Sequence, residues 1–228
     1  MSNYRYEIKF VLNEEALSHF LSWMYLHTNC RKKYPNRTVN SVYFDDSGFS
    51  SVRDNLAGVP DRMKMRLRWY QNKNNLLLGD PVLEQKLKSG RLGKKESISL
   101  SNLGDNLLNT PIIELRNMIE NELPIDHKAY LEHIIPTLYV SYNRQYYENS
   151  LGLRITVDED IRFKSNFSSS TSINQLTHIS YRSKIIELKF DPSIKNKVNH
   201  LLRSLSLTPI RHSKYLTGLA MHGQAQYI

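Results

Sequence analysis

Strict alternation of apolar and polar residues predicts β-strands in many parts of the chain. The clearest example is residues 62–70, where apolar side chains at positions 63, 65, 67 and 69 alternate with arginine or lysine. A period of two places these two sets on opposite faces of a strand. The same pattern, bounded by turn residues, predicts further strands at residues 4–10, 39–44, 82–88, 94–100, 138–147, 153–163 and 184–190.

A period near 3.6 residues predicts helices between groups of these strands. Asn13 caps the first helix, which places Leu17, Phe20, Leu21 and Met24 on one face. Other stretches with helical spacing or a helix-start signal predict helices at residues 111–123, 126–133, 192–205 and 213–221. The serine-rich residues 165–172 are predicted to form a loop.

Charge follows one face of each predicted strand. The strand at residues 62–70 carries four cations on its polar face: Arg62, Lys64, Arg66 and Arg68. Four neighbouring cations repel one another, so this face is either exposed to water or neutralised by an anion or by carboxylates. The same mixed but mainly basic polar face recurs at Arg5, Glu7, Lys9, Glu84, Lys86, Lys88, Arg154, Asp158, Asp160, Glu187 and Lys189.

These two-faced strands predict an α+β fold. The expected architecture is a closed antiparallel β-barrel of about eight strands, with helices packed outside against the apolar faces. Closure would place the charged faces inside, where they need a ligand, water or partners. Arginine and lysine with a few carboxylates fit a run of phosphates and a divalent metal. No repeat or linker divides the chain, so a single domain spanning residues 1–228 is expected.

Composition limits the compartment and the partner. A formal net charge of +9 indicates an anionic partner: nucleic acid, a membrane surface or a phosphorylated small molecule. The only cysteine is Cys30, which excludes an intrachain disulfide and fits a reducing compartment. No signal peptide and no apolar stretch of about 20 residues is present, so we expect a cytoplasmic protein that could act beside a membrane partner.

A series of motifs then follows in a characteristic order. They are RYEIKF at 5–10, SVYFD at 41–45, alternating cations at 62–68 after Gly58, LEQK at 83–86 with KK at 94–95, YNR at 142–144, RITVD at 154–158, IELK at 186–189 and SKY at 213–215. Their order resembles that of the VTC domain, the polyphosphate polymerase domain of the vacuolar transporter chaperone complex, one of the triphosphate tunnel metalloenzymes. The resemblance covers nearly the whole chain.

The resemblance implies transfer of the γ-phosphoryl group of ATP to a growing polyphosphate chain. The cofactor would be Mn²⁺ or Mg²⁺, and a membrane protein that moves the product could be a partner. Hydrolytic and cyclase branches begin with E-x-E-x-K, whereas this chain has Arg5 at the first glutamate position. The implied sites are catalytic Lys9, Arg62, Lys64, Arg66 and Lys86; substrate-binding Arg5, Arg68, Lys88, Arg144, Arg154, Lys189, Ser213 and Lys214; and metal-binding Glu187, Glu84 and Asp158.

Other functions stay open at this point. The same fold could hydrolyse triphosphates, or it could hold polyphosphate without turning it over. A pure polyanion-binding module would gain nothing from a carboxylate such as Glu187 facing its ligand. Nucleic-acid binding is disfavoured because the cations are spread over several strand faces and no recognised nucleic-acid motif is present. Glu7 and Glu84 could simply pair with neighbouring cations, and Asp158 could be structural.

Overall fold

The computed structural model describes residues 5–89, 92–104, 106–168 and 170–224, without the side chains of residues 88, 89, 92–94 and 130. The strands are β1 (Tyr6–Leu12), β2 (Arg31–Asp45), β3 (Arg62–Gln71), β4 (Val82–Ser89), β5 (Leu92–Ser99), β6 (Ile135–Glu148), β7 (Arg154–Lys164), β8 (Ile179–Tyr181) and β9 (Lys184–Phe190). The α-helices are α1 (Glu14–His27), α2 (Ser50–Leu56), α3 (Ile112–Glu122), α4 (Ile125–Lys128), α5 (Lys195–Leu202) and α6 (Lys214–Met221).

The strands form an antiparallel sheet accompanied by helices, which confirms the predicted fold class. Their hydrogen-bonded order is β1-β9-β7-β6-β2-β3-β4-β5, with β8 paired to β7. The register pairs Glu7 with Lys189 and Lys9 with Glu187 between β1 and β9. Between β3 and β4 it pairs Arg66 with Glu84.

Closure of the sheet is the part of the barrel prediction that needs correction. In the described residues the sheet is open. Strands β1 and β5 are its two edges and are not hydrogen-bonded to each other. The edge of β1 that is not paired with β9 receives one backbone hydrogen bond from a loop residue: the Ile210 amide donates to the Lys9 carbonyl at 2.9 Å. The edge strand β5 carries Lys95 and Glu96, and such charges discourage further strand pairing.

The described residues form two compact units. The first unit contains residues 5–37, 142–161 and 180–213, and the second contains the described residues of 38–141, 162–179 and 214–224.

The core of the first unit joins α1 to the apolar faces of its strands. Asn13 caps α1 as predicted, since its side chain accepts a hydrogen bond from the Ala16 amide at 2.8 Å. The helix buries one apolar stripe, and Trp23 donates from Nε1 to the Ser204 hydroxyl at 2.9 Å. The main core side chains are Phe10, Leu17, Phe20, Met24, Ile155, Val157, Ile186, Leu188, Phe190 and Val198.

The core of the second unit confirms the period-two prediction for β3. Met65, Leu67 and Trp69 are buried together with residues of α3. Burial of alternate residues leaves the four cations of β3 on the opposite face of the strand. The main partners on α3 and the following turn are Ile112, Leu115, Ile119 and Leu123.

Close packing in the second unit fixes the position of α6. A Cβ atom at Gly218 would lie 2.6 Å from side-chain atoms of Leu138 and Phe163, closer than a real Cβ contact allows. A glycine is therefore required where this helix meets β6 and β7. Lys214 and Tyr215 are the first two residues of this helix.

Several boundaries differ from the sequence prediction. Strand β2 begins at Arg31 rather than at residue 39, because its first half is exposed and lacks an apolar face to reveal it. Helix α2 and strand β8 were not predicted; both are short. The helix predicted at 126–133 divides into α4 and a 3₁₀ turn at Ala129–Leu131. The described part of 165–172 contains neither helix nor strand, as expected for a loop.

Candidate functional site

Carboxylate and hydroxyl partners surround the basic face of β3. Arg68 is buried, with 8% of its surface exposed, and its Nε donates to the Ser41 hydroxyl at 3.1 Å. Arg66 donates from Nε to Oε2 of Glu84 at 2.6 Å. Strand β3 therefore carries ordered cations that are partly removed from water, rather than a fully exposed basic face.

Glu84 on β4 is the carboxylate at the centre of this group. Its Oε2 also lies 2.6 Å from Nη2 of Arg66 and 3.9 Å from Nη1 of Arg68, while its Oε1 contacts Nζ of Lys95 at 2.5 Å. Burial alone would raise the pKa of Glu84, but Arg66, Arg68 and Lys95 lower it to about 2. Glu84 thus pairs with neighbouring cations, which was the alternative to metal binding, and metal binding by Glu84 would require these contacts to open.

A buried tyrosine extends the basic group. The hydroxyl of Tyr43 accepts a hydrogen bond from Nη1 of Arg66 at 3.1 Å. Burial would raise the pKa of this phenol, but Arg66, Arg68 and Lys214 lower it to about 8. The positive charge of the basic group therefore makes Tyr43 unusually acidic for a buried tyrosine.

We expect a phenol titration near pH 8 that belongs to Tyr43. Ultraviolet difference spectra should show one tyrosinate forming around that pH, and the step should vanish in Tyr43→Phe. Tyr139→Phe is the matched control, because burial raises the pKa of Tyr139 to about 12. If the pH 8 step survives in Tyr43→Phe, the basic group does not act on this phenol.

Tyr215 of α6 connects this group to β2. Its ring stacks on the ring of Tyr43, with centroids 5.0 Å apart. Its hydroxyl donates to Oδ2 of Asp45 at 2.7 Å and lies 3.1 Å from the Thr137 hydroxyl. Burial and the Asp45 carboxylate raise the pKa of Tyr215, so the phenol stays protonated as a donor. The tyrosine of the SKY motif therefore anchors α6 to the SVYFD strand.

A second charged group lies in the first unit, on β1 and β9. Nζ of Lys9 is 2.8 Å from Glu7 Oε1, and Nζ of Lys189 is 3.0 Å from Glu187 Oε1. Nζ of Lys189 is also 3.9 Å from Glu7 Oε2. The paired strands therefore place two carboxylates and two ammonium groups in alternation, with Glu7 in contact with both lysines.

Glu187 is the most buried carboxylate of this second group. Only 11% of its side chain is exposed. Burial would raise its pKa, but the positive charges of Lys189, Lys9 and Arg144 hold the pKa well below its usual range. Opposite it on β7 is Thr156, whose Oγ1 is buried and has no hydrogen-bond partner among the described residues. An ionised carboxylate beside an unsatisfied hydroxyl fits a site that receives a polar ligand.

Arg144 and Asp158 form a buried ion pair in the same unit. Asp158 is fully buried, and its two oxygens accept from Nε and Nη2 of Arg144 at 2.6 and 2.8 Å. Burial would lower the pKa of Arg144, but Asp158 raises it well above its usual value. Metal binding by Asp158 would require this bidentate pair to open. The geometry favours the alternative reading, in which Asp158 holds Arg144 in place.

The remaining predicted site residues occupy varied environments. Arg5 and Lys86 are exposed, and Nε of Arg154 lies 3.4 Å from Glu148 Oε1. Arg62 donates from Nη1 to the Val59 carbonyl at 3.3 Å, and Lys64 is half-buried on the basic face of β3. Ser213 directly precedes α6, which begins at Lys214. The side chain of Lys88 lies outside the described part of the structure.

The family model of the VTC domain matches residues 4–222 of the chain. The chain belongs to the VTC domain family. This match spans both charged groups and all of the motifs that carried the resemblance.

Solved structures with the same fold are distant in sequence. The PH1819 protein from Pyrococcus horikoshii OT3 is 13% identical, with a TM-score of 0.52 and coverage of 96% of this chain and 99% of that chain. The putative adenylyl cyclase HpAC1 from Hippeastrum is 14% identical, with a TM-score of 0.54 and coverage of 96% and 95%. A putative adenylate cyclase from Vibrio parahaemolyticus is 13% identical, with a TM-score of 0.52 and coverage of 96% and 99%. They show that this VTC domain has the triphosphate tunnel fold.

No curated protein matches this VTC domain. Within the described residues, no helix combines the length and the apolar character that crossing a membrane requires.

The donor set of the first unit fits a metal that is shared with a phosphate ligand. In the described ranges, no group of three or more His, Cys, Asp and Glu side chains could hold a metal ion alone. Glu7 and Glu187 supply two adjacent carboxylates, and Mg²⁺ is usually bound through one or two carboxylates together with substrate phosphates and water. The residues therefore fit Mg²⁺ or Mn²⁺ bound jointly with substrate.

Sequence reasoning missed several residues that the structure brings to these groups. These residues lie inside the SVYFD, RITVD and SKY motifs, but the sequence indicated no individual role for them: Tyr43, Asp45, Thr156 and Tyr215. Their signal was weak because buried tyrosines and hydroxyls occur throughout protein cores, and only three-dimensional contacts distinguish these positions.

Proposed function

We propose that this VTC domain is an ATP-dependent polyphosphate polymerase. Membership of the family and the triphosphate tunnel fold support a role in handling triphosphates or polyphosphate. The polymerase activity is the finer proposal. The observation that carries it is the basic face of β3, where ordered arginines surround a single ionised carboxylate, Glu84.

The basic face of β3 has the chemistry needed to hold a triphosphate. Arginine forks match phosphate oxygens in pairs, and lysine supplies point charge. Glu84 keeps Arg66 and Arg68 ordered before a ligand arrives, because their guanidinium groups already contact it. We assign ATP phosphate binding to Arg62, Lys64, Arg66 and Arg68, with Lys86 as an exposed neighbour on β4.

The reaction is a phosphoryl transfer that needs no side-chain nucleophile. A terminal oxygen of the polyphosphate chain forms a bond to the γ-phosphorus of ATP, and the bond from that phosphorus to the β–γ bridging oxygen breaks. The products are ADP and a chain longer by one phosphate, so atoms and charge balance. Such a transfer asks the protein mainly for positioning and charge neutralisation.

The charged group of the first unit also has the chemistry to hold a metal ion and phosphate oxygens. Glu187, beside Glu7, would hold Mn²⁺ or Mg²⁺, which neutralises phosphate charge when bound. Asp158 would hold Arg144 in position, and the guanidinium N–H groups of Arg144 that do not donate to Asp158 would bind a phosphate oxygen. Lys9 and Lys189 would keep the carboxylates ionised and contact substrate phosphate, while Arg5, Arg154 and Ser213 of the same unit would guide the chain. Lys214 belongs to the second unit and is also assigned to substrate binding.

The proposed partners follow from this chemistry. They are ATP and inorganic polyphosphate, without nucleic acid, and a membrane protein that carries the product away. A cytoplasmic location gives access to ATP. None of these assignments depends on an oligomeric state.

Triphosphate hydrolysis is the second candidate. HpAC1 from Hippeastrum, which shares the fold, is described as having a dominant triphosphatase activity. In that reaction water would replace the polyphosphate chain as the attacking group. The replacement of the first glutamate of E-x-E-x-K by Arg5 argues for the polymerase, because it removes a carboxylate and adds a cation.

The deciding experiment is incubation of the purified protein with ATP and Mn²⁺, with products separated by gel electrophoresis and ³¹P NMR. We expect polymer and ADP, and a rate at least about 100-fold lower in Lys64→Ala. Lys73→Ala, which removes an exposed lysine from the turn after β3, is the matched control and should retain activity. Orthophosphate and ADP without polymer would establish the hydrolase instead. Binding of polyphosphate without turnover would establish a binding module.

A further inference from the structure

A ladder of aromatic rings and guanidinium groups runs through the first unit. The guanidinium carbon of Arg37 lies 5.0 Å from the ring centre of Tyr34 and 5.7 Å from that of Tyr146. The guanidinium carbon of Arg144 lies 5.1 Å from the ring centre of Tyr142 and 5.9 Å from that of Tyr146. Arg37 and Arg144 therefore share the ring of Tyr146, and cation–π contacts hold both.

The two arginines of this ladder differ in charge balance. Arg144 is neutralised by its bidentate pair with Asp158. Arg37 is half-buried and makes no ion pair with any residue that the structure describes. Tyr34 and Tyr146 fix the plane of a guanidinium whose charge has no carboxylate partner, which leaves Arg37 able to bind an anion.

Arg37 ends the basic segment of β2, which we define as Arg31, Lys32, Lys33 and Arg37. Residues 31–36 are exposed. Glu148 contacts Lys33 at 3.5 Å and also Arg154, so one carboxylate is shared between two cations. Arg31 and Lys32, like Arg37, pair with no carboxylate in the described ranges. The segment therefore presents an excess of positive charge along one strand.

We propose that the basic segment of β2 is a binding surface for polyphosphate chains longer than a triphosphate. The inference rests on the proposed function and deepens it by assigning the long chain a binding surface on a strand other than β3. A strand rises about 3.3 Å per residue, so the segment extends for ~20 Å, beyond the length of a triphosphate group. Because side chains alternate along a strand, Arg31, Lys33 and Arg37 share one face and Lys32 lies on the other. A linear polyanion of repeating phosphates matches a row of three cations spread over this length.

The ladder favours polyphosphate over single-stranded nucleic acid. Nucleic-acid surfaces of this kind offer open aromatic faces on which bases stack. Here the ring of Tyr34 is covered by Arg37 and meets the ring of Tyr146 edge-on, with centroids 5.8 Å apart. Tyr146 contacts both guanidinium groups. The rings are engaged in holding arginines. The surface therefore offers guanidinium groups that can bind phosphate, rather than open ring faces on which bases could stack.

The test compares the affinities for tripolyphosphate and for long-chain polyphosphate, using intact protein at low salt. We expect Arg37→Ala to weaken binding of the long chain by ~10-fold and to reduce its salt dependence, with less than a ~2-fold change for tripolyphosphate. Arg203→Ala removes an exposed arginine of the same unit and is the matched control, expected to change neither affinity. Tyr34→Ala, which keeps the cation but removes one ring, should give a smaller loss confined to the long chain.

Each other outcome overturns a specific statement. Equal losses for both ligands in Arg37→Ala would place Arg37 in the triphosphate site and overturn the inference. Behaviour identical to Arg203→Ala, while the wild type binds tripolyphosphate, would overturn the inference and leave the proposed function intact. Failure of the wild type to bind either ligand would overturn the proposed function. Tighter binding of a single-stranded oligonucleotide than of polyphosphate would show that the surface is for nucleic acid.

Discussion

Replacement of Asp158 by asparagine is expected to lower the free energy of unfolding by about 3–5 kcal/mol. Asp158 is fully buried, and both of its oxygens accept hydrogen bonds from Arg144. The neutral amide is nearly isosteric but leaves the guanidinium charge without its counter-ion in a poorly solvated place. Breaking one side of a buried ion pair costs more than the pair contributes, because the remaining charge keeps its desolvation penalty. Urea unfolding at neutral pH measures the change.

Asp160→Asn is the matched control for this prediction. Asp160 lies two residues further along β7, is exposed, and accepts a hydrogen bond from Asn143 at 2.9 Å. We expect its replacement to change the free energy of unfolding by less than ~0.5 kcal/mol. Equal effects of the two substitutions would mean that burial of the Arg144–Asp158 pair does not determine stability. A double variant with Arg144→Met should recover part of the loss, because it removes the unpaired charge.

Replacement of Glu187 by glutamine is expected to reduce turnover by about 100-fold or more. The carboxylate is ionised and buried among Lys9, Lys189 and Arg144. Glutamine keeps the shape but removes the charge that would bind the divalent metal, so the metal concentration that gives half-maximal rate should also rise. Rates measured over a Mn²⁺ titration, with ATP saturating, separate this effect from a loss of substrate affinity.

Glu148→Gln is the control for the Glu187 experiment. Glu148 also pairs with two cations, Lys33 and Arg154, but it lies outside the group around Glu187. We expect its turnover and metal dependence to match those of the wild type. Full activity of Glu187→Gln with unchanged metal dependence would remove Glu187 from the metal site. Lost activity with an unchanged metal midpoint would assign it a role in substrate binding.

The sequence was sufficient for features that depend on periodicity. Alternation in β3 correctly placed Met65 and Leu67 in the core and Arg66 on the opposite face. Spacing and a capping residue correctly located α1 after Asn13. These features are local, since a period of two or of 3.6 residues fixes which side chains share a face. The exposed half of β2 has no such period, and it was missed.

Partner choice among charged residues could not be predicted in the same way. The sequence offered Glu187 as the first candidate metal ligand and Glu84 and Asp158 as additional candidates, but it gave no sign of the cations that each one meets. The structure distinguishes them: Glu84 is bound by Arg66 and Lys95, Asp158 by Arg144, and Glu187 lies beside Glu7 and an unsatisfied Thr156 hydroxyl. Register between strands decides these pairs, and register depends on contacts far apart in the chain.

The sequence by itself determined that this chain has two-faced strands with basic polar faces, and its motif order determined the family. Only the tertiary structure decided which carboxylate each cation meets, how Tyr215 joins the strand that holds Tyr43, and where the ends of the sheet lie. The physical reason is range: backbone periodicity acts between near neighbours in sequence. Ion pairs, aromatic stacking and strand edges depend on residues brought together by folding, and the free energy of each depends on its burial.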